Sequence, residues 1–435
     1  MIRCDFDLRV LDIDREMKIM TNYKLRREEW ARAGHLMASE TLFVGVGKCG
    51  GAITNRIQRR GYRAFYINTA FGDFVELERV SDSQLYAIPE AGGCNKDREL
   101  AKDLVADNAA EIISIFNSRY PSFKNYFFVF SLGGGTGSGM TPALAKYMAQ
   151  QGKKVSLIIV LPTRQENRKP SANAYACLAE IEEMMPYLCN VYIVDNEKEE
   201  SKEEVNEMIA DCIDSVLSLT EHVGVTSDRS SFDGLKPCDD TENRALIHTQ
   251  GVVQVAKLSS SQSGDAQEPY KIEPLSCMAQ ADDDAPKVCD EMAISIAYAH
   301  KDNFQTAQLY QEFGRPSADI KIGLNTSNDS LVYVFGKEIP KSVSERLEQW
   351  IVDFDRDAFD ISSAPKFTKD FTKESKSVDV SAIKDPFGLS RRTETGNKKF
   401  FEKPNPFVDT LSTAPPTNTK NKNKNGKMKQ SNPFA

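Results

Sequence analysis

Short apolar runs alternate with longer segments of helical periodicity through the first half of the chain. Five apolar runs predict buried strands, at residues 41–46, 64–68, 126–132, 155–161 and 191–194. Apolar positions three or four residues apart predict four helices, over residues 52–60, 98–118, 172–185 and 203–219. Strands and helices in alternation predict an α/β fold around a parallel sheet, with a Rossmann-like first domain.

The second half of the chain predicts a smaller α/β region. Residues 251–258 and 331–335 predict strands, and residues 342–354 predict a terminal helix. Beyond residue 362, apolar periodicity gives way to Lys, Ser, Thr, Asn and Pro, which predicts disorder. We therefore predict a helical extension (1–38), the first domain (39–202), a central helix (203–225), a C-terminal domain with its terminal helix (226–361), and a disordered tail (362–435).

The composition narrows the class of protein. The net charge of −8 argues against a protein that coats nucleic acid. Apolar runs never approach the roughly 18 residues of a transmembrane helix, and the N-terminal sequence is too charged for a signal peptide. Nine cysteines and four scattered histidines show no metal-ligand spacing. The sequence therefore predicts a cytoplasmic protein with reduced thiols and no membrane span.

The most informative segment is a glycine loop between an apolar strand and a helix with Pro142 near its start. Five of the seven residues in GGGTGSG, at 133–139, are glycine, which lets backbone N–H groups approach an oxyanion. The helix N-terminus adds unsatisfied donors and a favourable dipole. The loop lacks the GK[ST] ending of a P-loop and the GxGxxG dinucleotide fingerprint. It predicts a phosphate-binding loop of another kind.

GGGTGSG resembles the signature of the tubulin/FtsZ superfamily of GTPases. This resemblance implies that the loop binds the phosphates of GTP through Gly133, Gly134, Gly135, Thr136, Gly137 and Ser138. The first turn, GVGKCGG at 45–51, resembles another nucleotide loop of the family and implies contacts from Gly47, Lys48, Cys49 and Gly50. Cys49 is expected near the base, although a buried inert thiol fits the sequence equally well. A valine at Gly135 is expected to block GTP binding with the fold intact.

Two further loops resemble the phosphate side of the family's site. In INTAFGD, at 67–73, Asn68 and Thr69 would position phosphates and Asp73 would act on Mg²⁺ through water. Asp73 also fits a loop or helix-capping residue. AGGCNKD, at 91–97, resembles the loop that reaches the γ-phosphate and implies contacts from Gly92, Gly93 and Asn95.

The ribose and the base have their own candidate residues. TRQENR, at 163–168, resembles the ribose loop, with Glu166 and Arg168 as contacts, although both also fit solvated surface charges. Asn196 ends a strand in the D-N-E context of tubulins, and Asn206 opens the central helix where tubulins carry a second base-reading Asn. Since an Asn amide offers both a donor and an acceptor, the pair favours GTP over ATP.

The catalytic loop departs from the family pattern. The FtsZ branch carries N-x-D-x-x-D, whereas this chain has DRSSFD at 228–233, with Asp228 in place of Asn. Asp233 matches the last acidic position and would orient the attacking water, while Asp239 and Asp240 compete for that role. In the family this loop reaches the next subunit's nucleotide, which implies a head-to-tail homopolymer. The alternatives are a non-hydrolysing regulator or capping protein, and an FtsZ-like division protein.

The remaining features resemble the TubZ branch carried by plasmids and phages, which implies a role in DNA partition or positioning. They are the N-terminal helix, the short path from Asn196 to Asn206, and the long polar tail. The tail carries five lysines at 420–429, which could bind DNA or an acidic protein. It also carries Asx-Pro-Phe triplets at 385–387, 405–407 and 432–434, which suit a multivalent adaptor contact. A solubilising tail and chance recurrence are the alternatives.

Overall fold

The computed structural model describes residues 36–198, 201–220, 237–260, 270–297, 305–318, 320–325 and 329–363. The predicted N-terminal extension up to residue 35 and the tail from 364 lie outside these ranges. In the first half, the strands are β1 Thr41–Val46, β2 Arg63–Asn68, β3 Leu85–Ala87, β4 Asn125–Ser131, β5 Lys154–Leu161 and β6 Asn190–Asp195. The helices there are α1 Leu36–Glu40, α2 Gly47–Arg59, α3 Arg98–Arg119, α4 Thr136–Gln150, α5 Arg168–Met184 and α6 Lys202–Leu217.

The second half adds five strands and three helices among the described residues. The strands are β7 Gly251–Ser260, β8 Tyr270–Pro274, β9 Glu291–Ala297, β10 Lys321–Asn325 and β11 Ser330–Lys337. The helices are α7 Asp240–His248, α8 Ala307–Phe313 and α9 Lys341–Ser363. The strand order is β10-β9-β11-β7-β6-β5-β4-β1-β2-β3, with β8 paired to β7. The prediction of an α/β fold with a parallel sheet is confirmed, since β1 to β6 pair with one another in parallel.

The strands of the first half are buried on both faces because helices cover each side of the sheet. Alternate residues of one strand enter different cores: Leu42 and Val44 face one side, and Phe43 faces the other. The first core is closed by α3, α4, α5 and α9, and the second by α2, α6 and α7. This two-sided burial explains why the strands read as nearly continuous apolar runs.

The C-terminal region continues the same sheet and also has a core of its own. Strand β7 joins β6 in parallel through only two residue pairs, Asn190 with Gly251 and Val191 with Val252. Beyond this junction, β11 runs antiparallel to β7 and β9. A separate apolar cluster packs β9, β10 and β11 against α8. The junction needs glycine, because a Cβ on Gly251, whose φ is +113°, would lie 2.9 Å from Gly336 Cα.

Several details differ from the prediction. Strands β3, β8, β9 and β10 and helices α7 and α8 were not predicted from the apolar pattern. Helix α3 has the predicted bounds to within one residue. Its inward face is formed by Ala101, Val105, Ala109, Ile112 and Phe116, whereas Leu100 is 43% exposed. Helix α2 begins at Gly47, five residues before the predicted start, because its glycines lie inside the helix.

Two further observations concern the described residues only. The eight cysteines among them are free thiols. None of their helices is both long and apolar enough to cross a lipid bilayer.

Candidate functional site

A cavity of about 570 Å³ opens where the parallel strands end. Val46, Asn68 and Ser131 stand at the carboxyl ends of β1, β2 and β4, and all three line it. Asn196, immediately after β6, lines it from the other side. The ends of parallel strands in an open α/β sheet are the usual place for a ligand, because the loops that follow them converge there.

Two helices begin at the cavity without a side-chain cap. Helix α2 starts at Gly47 and α4 starts at Thr136, and their capping positions, Val46 and Gly135, make no side-chain hydrogen bond to the first turn. By contrast, the Asp97 carboxylate caps α3, accepting from the N–H groups of Glu99 and Leu100. The first-turn N–H groups of α2 and α4 are therefore available to an anion, and the two helix dipoles favour negative charge at this end.

The glycine loop is shaped mainly by packing around it. A Cβ on Gly137 would lie 3.1 Å from Val46 O, and one on Gly139 would lie 2.6 Å from Arg98 O. A Cβ on Gly135 would lie 2.8 Å from the Asp97 nitrogen. Only Gly134, among the loop glycines, would place a Cβ with nothing nearer than 4.0 Å. A valine at Gly135 would therefore collide with the start of α3, which differs from the expectation of an intact fold.

Hydroxyl groups hold two loops of the cavity together. Thr69 Oγ1 and Thr136 Oγ1 lie 2.7 Å apart, joining the end of β2 to the start of α4. The buried Ser138 hydroxyl donates to the Gly134 carbonyl within the glycine loop. Ser138 therefore braces the loop from behind, whereas Thr69 and Thr136 line the cavity.

Charged groups gather at the end of the cavity that Lys48 lines. Asn68 Nδ2 donates to Asp73 Oδ2 at 2.9 Å, which fixes the carboxylate at the wall. Lys48 Nζ lies 2.7 Å from Glu76 Oε1, and this hydrogen bond raises the pKa of Lys48. The described residues contain no group of three or more His, Cys, Asp or Glu side chains that would hold a metal ion. A cation here would need most of its ligands from water or from a bound ligand.

The other end of the cavity is lined by amide and charged side chains. Asn196 and Asn206 both line it, together with Glu166 and Lys202, whose Nζ lies 3.4 Å from Glu166 Oε1. The Cys49 thiol is half-buried in this wall, and burial raises its pKa to about 12. Cys49 is therefore a neutral wall residue at ordinary pH.

The structure brings most of the predicted nucleotide contacts into this one cavity. The predicted residues that line it are Gly47, Lys48, Cys49, Asn68, Thr69, Asp73, Gly93, Asn95, Gly133, Gly134, Gly135, Thr136, Gly137, Glu166, Asn196 and Asn206. Those that do not are Gly50, Gly92, Ser138 and Arg168.

Each of these exceptions has a structural position that explains it. A Cβ on Gly50 would lie 2.0 Å from Val129 O, so this glycine allows α2 to pack closely on β4. Gly92 is exposed. Arg168 forms an exposed ion pair with Asp355 on α9, at 2.5 Å. Sequence reasoning gave these positions a nucleotide contact because it could not show which way each side chain or helix face is directed.

The cavity also contains residues that the sequence analysis missed. Lys202 and Glu203 line it, four and three residues before Asn206 on α6. Helical spacing alone places them beside Asn206, so this signal was present in the sequence. Cys94 and Ser131 were missed because their place in the wall depends on how the loops fold.

The acidic residues proposed for catalysis are only partly described. Asp228 and Asp233 lie outside the described residues. Asp239 caps α7, accepting from Thr241 N at 2.8 Å and from Glu242 N at 2.9 Å. Asp240 is exposed in the first turn of α7, and neither residue lines the cavity.

The fold is an α/β fold with a cavity at the carboxyl ends of its parallel strands. Residues 40–199 match the model of the tubulin/FtsZ family GTPase domain.

Among curated relatives, the tubulin-like protein TubZ of a Clostridium botulinum C phage is 30% identical over 192 residues, which cover 42% of this chain and 53% of the relative. The tubulin-like protein CetZ of Pyrococcus abyssi is 26% identical over 199 residues, covering 42% of this chain and 54% of the relative. The chain thus spans about half the length of the curated relatives it matches.

Solved structures share the fold over a longer stretch. A TubZ of Clostridium botulinum phage c-st with a truncated C-terminal tail has a TM-score of 0.62 at 23% identity, covering 74% of this chain and 99% of that one. A GTPγS-bound protofilament of CetZ2 from Haloferax volcanii has a TM-score of 0.55 at 22% identity, covering 74% and 99%. At these identities the likeness shows the fold alone.

Proposed function

We propose that this chain is a TubZ-like GTPase that binds GTP in the cavity and assembles head to tail into filaments. The observation that carries this proposal is the convergence of separated segments on one cavity. Two uncapped helix N-termini line one end, and Asn196 and Asn206 line the other. A ligand with an anionic end and a hydrogen-bonding base matches this polarity.

In this proposal the phosphates of GTP lie against the first turns of α2 and α4, and the guanine lies between Asn196 and Asn206. Asp73 fits Mg²⁺, because Mg²⁺ prefers oxygen ligands and keeps several waters, so one fixed carboxylate and the phosphates suffice. When bound, the ion would neutralise charge on the phosphates. Lys48, at the same mouth, adds a positive charge that can turn from Glu76 towards a phosphate.

Self-assembly is supported by a feature beside the cavity. Phe71 and Val75 are 67% and 77% exposed, in a short 3₁₀ segment that also carries the cavity residues Asp73 and Glu76. The CetZ2 relative forms a protofilament with GTPγS bound. If the next subunit covers the cavity, it buries these two apolar side chains and brings Asp233 to the γ-phosphate as the water-orienting group.

GTP turnover measured against protein concentration tests the proposal. An assembling enzyme shows a critical concentration, above which phosphate release per subunit rises steeply. Binding of GTP without turnover at any concentration would instead support the non-hydrolysing regulator, which the departure at Asp228 favours. Turnover that is linear in concentration would contradict completion of the site by a neighbouring subunit.

The apolar segment offers a sharper test of the assembly face. Val75→Ser should raise the critical concentration several-fold, because the buried methyl groups supply part of the contact. Val352→Ser is the matched control, since Val352 is also exposed, at 54%, but lies on α9. Equal effects of the two substitutions would argue against this face.

The choice of base is tested at the two asparagines. A site that pairs polar groups with one base edge rejects an analogue that leaves them unpaired. Asn196→Ala and Asn206→Ala should each reduce the preference for GTP over ATP in a competition assay. If both variants keep the preference of the unaltered chain, the guanine assignment fails.

The cellular role follows from the TubZ resemblance. We propose that the filament acts in the cytoplasm in partition or positioning of plasmid or phage DNA. The lysine-rich segment at 420–429 would contact DNA or a DNA-bound adaptor, and the Asx-Pro-Phe triplets would add adaptor contacts. Co-sedimentation of filaments with DNA, with and without residues 364–435, tests this role. Equal recovery of DNA by both forms would exclude the tail as the link.

A further inference from the structure

An ion-pair network beside the cavity joins carboxylates of α6 to Arg56 and Arg59 of α2 and to Arg60, which directly follows α2. Arg56 Nε lies 3.1 Å from Glu207 Oε1, and Arg56 also pairs with Glu203. Arg59 Nη2 lies 2.7 Å from the same Glu207 oxygen. Arg60 Nη2 lies 3.0 Å from Glu207 Oε2 and 2.5 Å from Asp211 Oδ1. One carboxylate, Glu207, is therefore held by three guanidinium groups from the C-terminal end of α2 and the residue that follows it.

The arginines of this network are themselves held in place. Arg56 Nη1 donates to Ala52 O at 3.0 Å, and Arg60 Nη1 donates to Arg56 O at 2.9 Å. Their side chains are only 14% and 17% exposed. Burial opposes ionisation of Glu207, but the three arginines still lower its pKa. The network is thus more ordered than a surface ion pair between two freely moving side chains.

Both helices of the network reach the cavity. Helix α2 contributes Gly47, Lys48 and Cys49 from its first turn, and α6 contributes Asn206 from its second. Glu203 and Glu207 flank Asn206 in sequence, three residues before it and one after it. Fixing two carboxylates on either side of Asn206 fixes the rotation and axial position of this part of α6 against α2.

The Asn206 amide depends on that placement. The Asn206 side chain makes no hydrogen bond to another of the described residues. Its position in the cavity therefore follows from the backbone of α6. A small rotation of α6 would move the amide away from a base edge without changing the phosphate end at the first turns of α2 and α4.

We infer that Arg56, supported by Arg60, is a positioning residue that sets base selectivity by holding Asn206 against the nucleotide. This inference rests on the proposed function, because it requires Asn206 to read the base. It assigns a specificity role to residues that do not touch the nucleotide.

A double-mutant cycle on the full chain tests the inference. The affinities for GTP and ATP are measured by competition with a fluorescent guanine nucleotide, below the assembly concentration. Arg56→Gln should lower the GTP-to-ATP preference by about tenfold, the order expected for coupled neighbours. The loss should be mainly in GTP affinity. In the Asn206→Ala background, Arg56→Gln should change the preference by less than about twofold, because its effect acts through the missing amide.

The matched control is Arg244→Gln. Arg244 also forms a two-bond pair with a carboxylate, since its Nε and Nη2 lie 3.0 and 3.3 Å from the oxygens of Glu40, but this pair lies away from the cavity. The Arg244→Gln variant should prefer GTP over ATP by the same factor as the unaltered chain. If Arg56→Gln does not fold, Arg56→Lys keeps the charge without the planar fork and should lose part of the preference.

Two results would overturn the inference. In the first, Arg56→Gln weakens GTP and ATP by the same factor, which is the behaviour of a residue that only stabilises the fold. In the second, the lost preference persists after Asn206→Ala. If the unaltered chain binds neither nucleotide, the proposed function and this inference both fail. That outcome differs from failure of the inference alone, because it appears before any residue is substituted.

Discussion

Replacing Gly135 by alanine tests how the glycine loop is built. An added Cβ would lie 2.8 Å from Asp97 N, 2.9 Å from Cys94 Cβ and 3.0 Å from Asp97 O. Two of these neighbours are backbone atoms, which cannot rotate away as the end of a flexible side chain can. Either the glycine loop or the start of α3 must therefore move by several tenths of an ångström.

The magnitude follows from three terms. Overpacking a tight site costs about 1–3 kcal/mol. Asp97 caps α3, accepting from Glu99 N and Leu100 N at 3.1 Å each, and disturbing such a cap costs about 1 kcal/mol. Alanine also restricts the unfolded chain more than glycine does, which favours the folded state by about 0.4–1 kcal/mol and offsets part of this loss. We expect Gly135→Ala to lower the free energy of unfolding by about 2 kcal/mol, the balance of these terms.

Urea unfolding of the nucleotide-free chain, followed by circular dichroism, measures the change. Gly134→Ala is the matched control, because a Cβ there meets nothing nearer than 4.0 Å. Its stability should be unchanged or rise by up to about 1 kcal/mol, because alanine restricts the unfolded chain more than glycine does. Its GTP affinity should fall, because the methyl group enters the wall that faces the ligand. The reasoning is refuted if Gly135→Ala unfolds at the same urea concentration as the unaltered chain, or if both variants lose equal stability.

Four further predictions concern other parts of the chain. Asp239→Ala should lower the free energy of unfolding by about 1 kcal/mol, because the cap of α7 is lost, and should keep normal phosphate release. Loss of turnover with unchanged stability would instead make Asp239 catalytic. Asp233→Ala should bind GTP and assemble but release phosphate slowly, and release at the normal rate would remove it from the mechanism. Truncation after residue 363 should leave assembly and GTPase activity nearly intact, whereas failure to polymerise would place the tail in the filament. The hydrogen bond from Arg244 lowers the pKa of Glu40 from its usual value of 4.5. Glu40→Gln should therefore have a lower free energy of unfolding than the unaltered chain at pH 7, and this difference should shrink as the pH falls below 4.5. Urea midpoints of both proteins at pH 7 and about pH 4 measure this difference, and a constant difference would contradict it.

Much of the fold follows from local signals in the sequence. Strand β1 has the predicted bounds, and β2, β4, β5 and β6 begin or end within one residue of theirs. These strands are buried on both faces, so each leaves a continuous apolar run. The sequence also indicated the two turns in which β1 leads into α2 and β4 leads into α4. Both turns are rich in glycine, which is needed where a helix begins directly against a cavity or a neighbouring strand.

The candidate site was predictable in its membership more than in its geometry. Glycine and asparagine types in family context identified most of the residues that line the cavity. The sequence could not show that Gly135 packs against Asp97 or that Arg168 turns to Asp355, because both depend on which distant backbone lies opposite. The same limit explains why Asp239, an acidic residue near the catalytic motif, proved to be a helix cap.

The sequence by itself determined the α/β class and the order of the first strands and helices, and it predicts a phosphate-binding glycine loop. These properties are local, since periodicity and glycine content act within a few residues of the chain. The tertiary structure alone decided that the C-terminal strands extend the same sheet through two residue pairs, and that Arg56, Arg59 and Arg60, at the C-terminal end of α2, hold α6 at Glu207. Such contacts join residues as many as 151 positions apart, as Arg60 and Asp211 are, and their energy depends on distance in space.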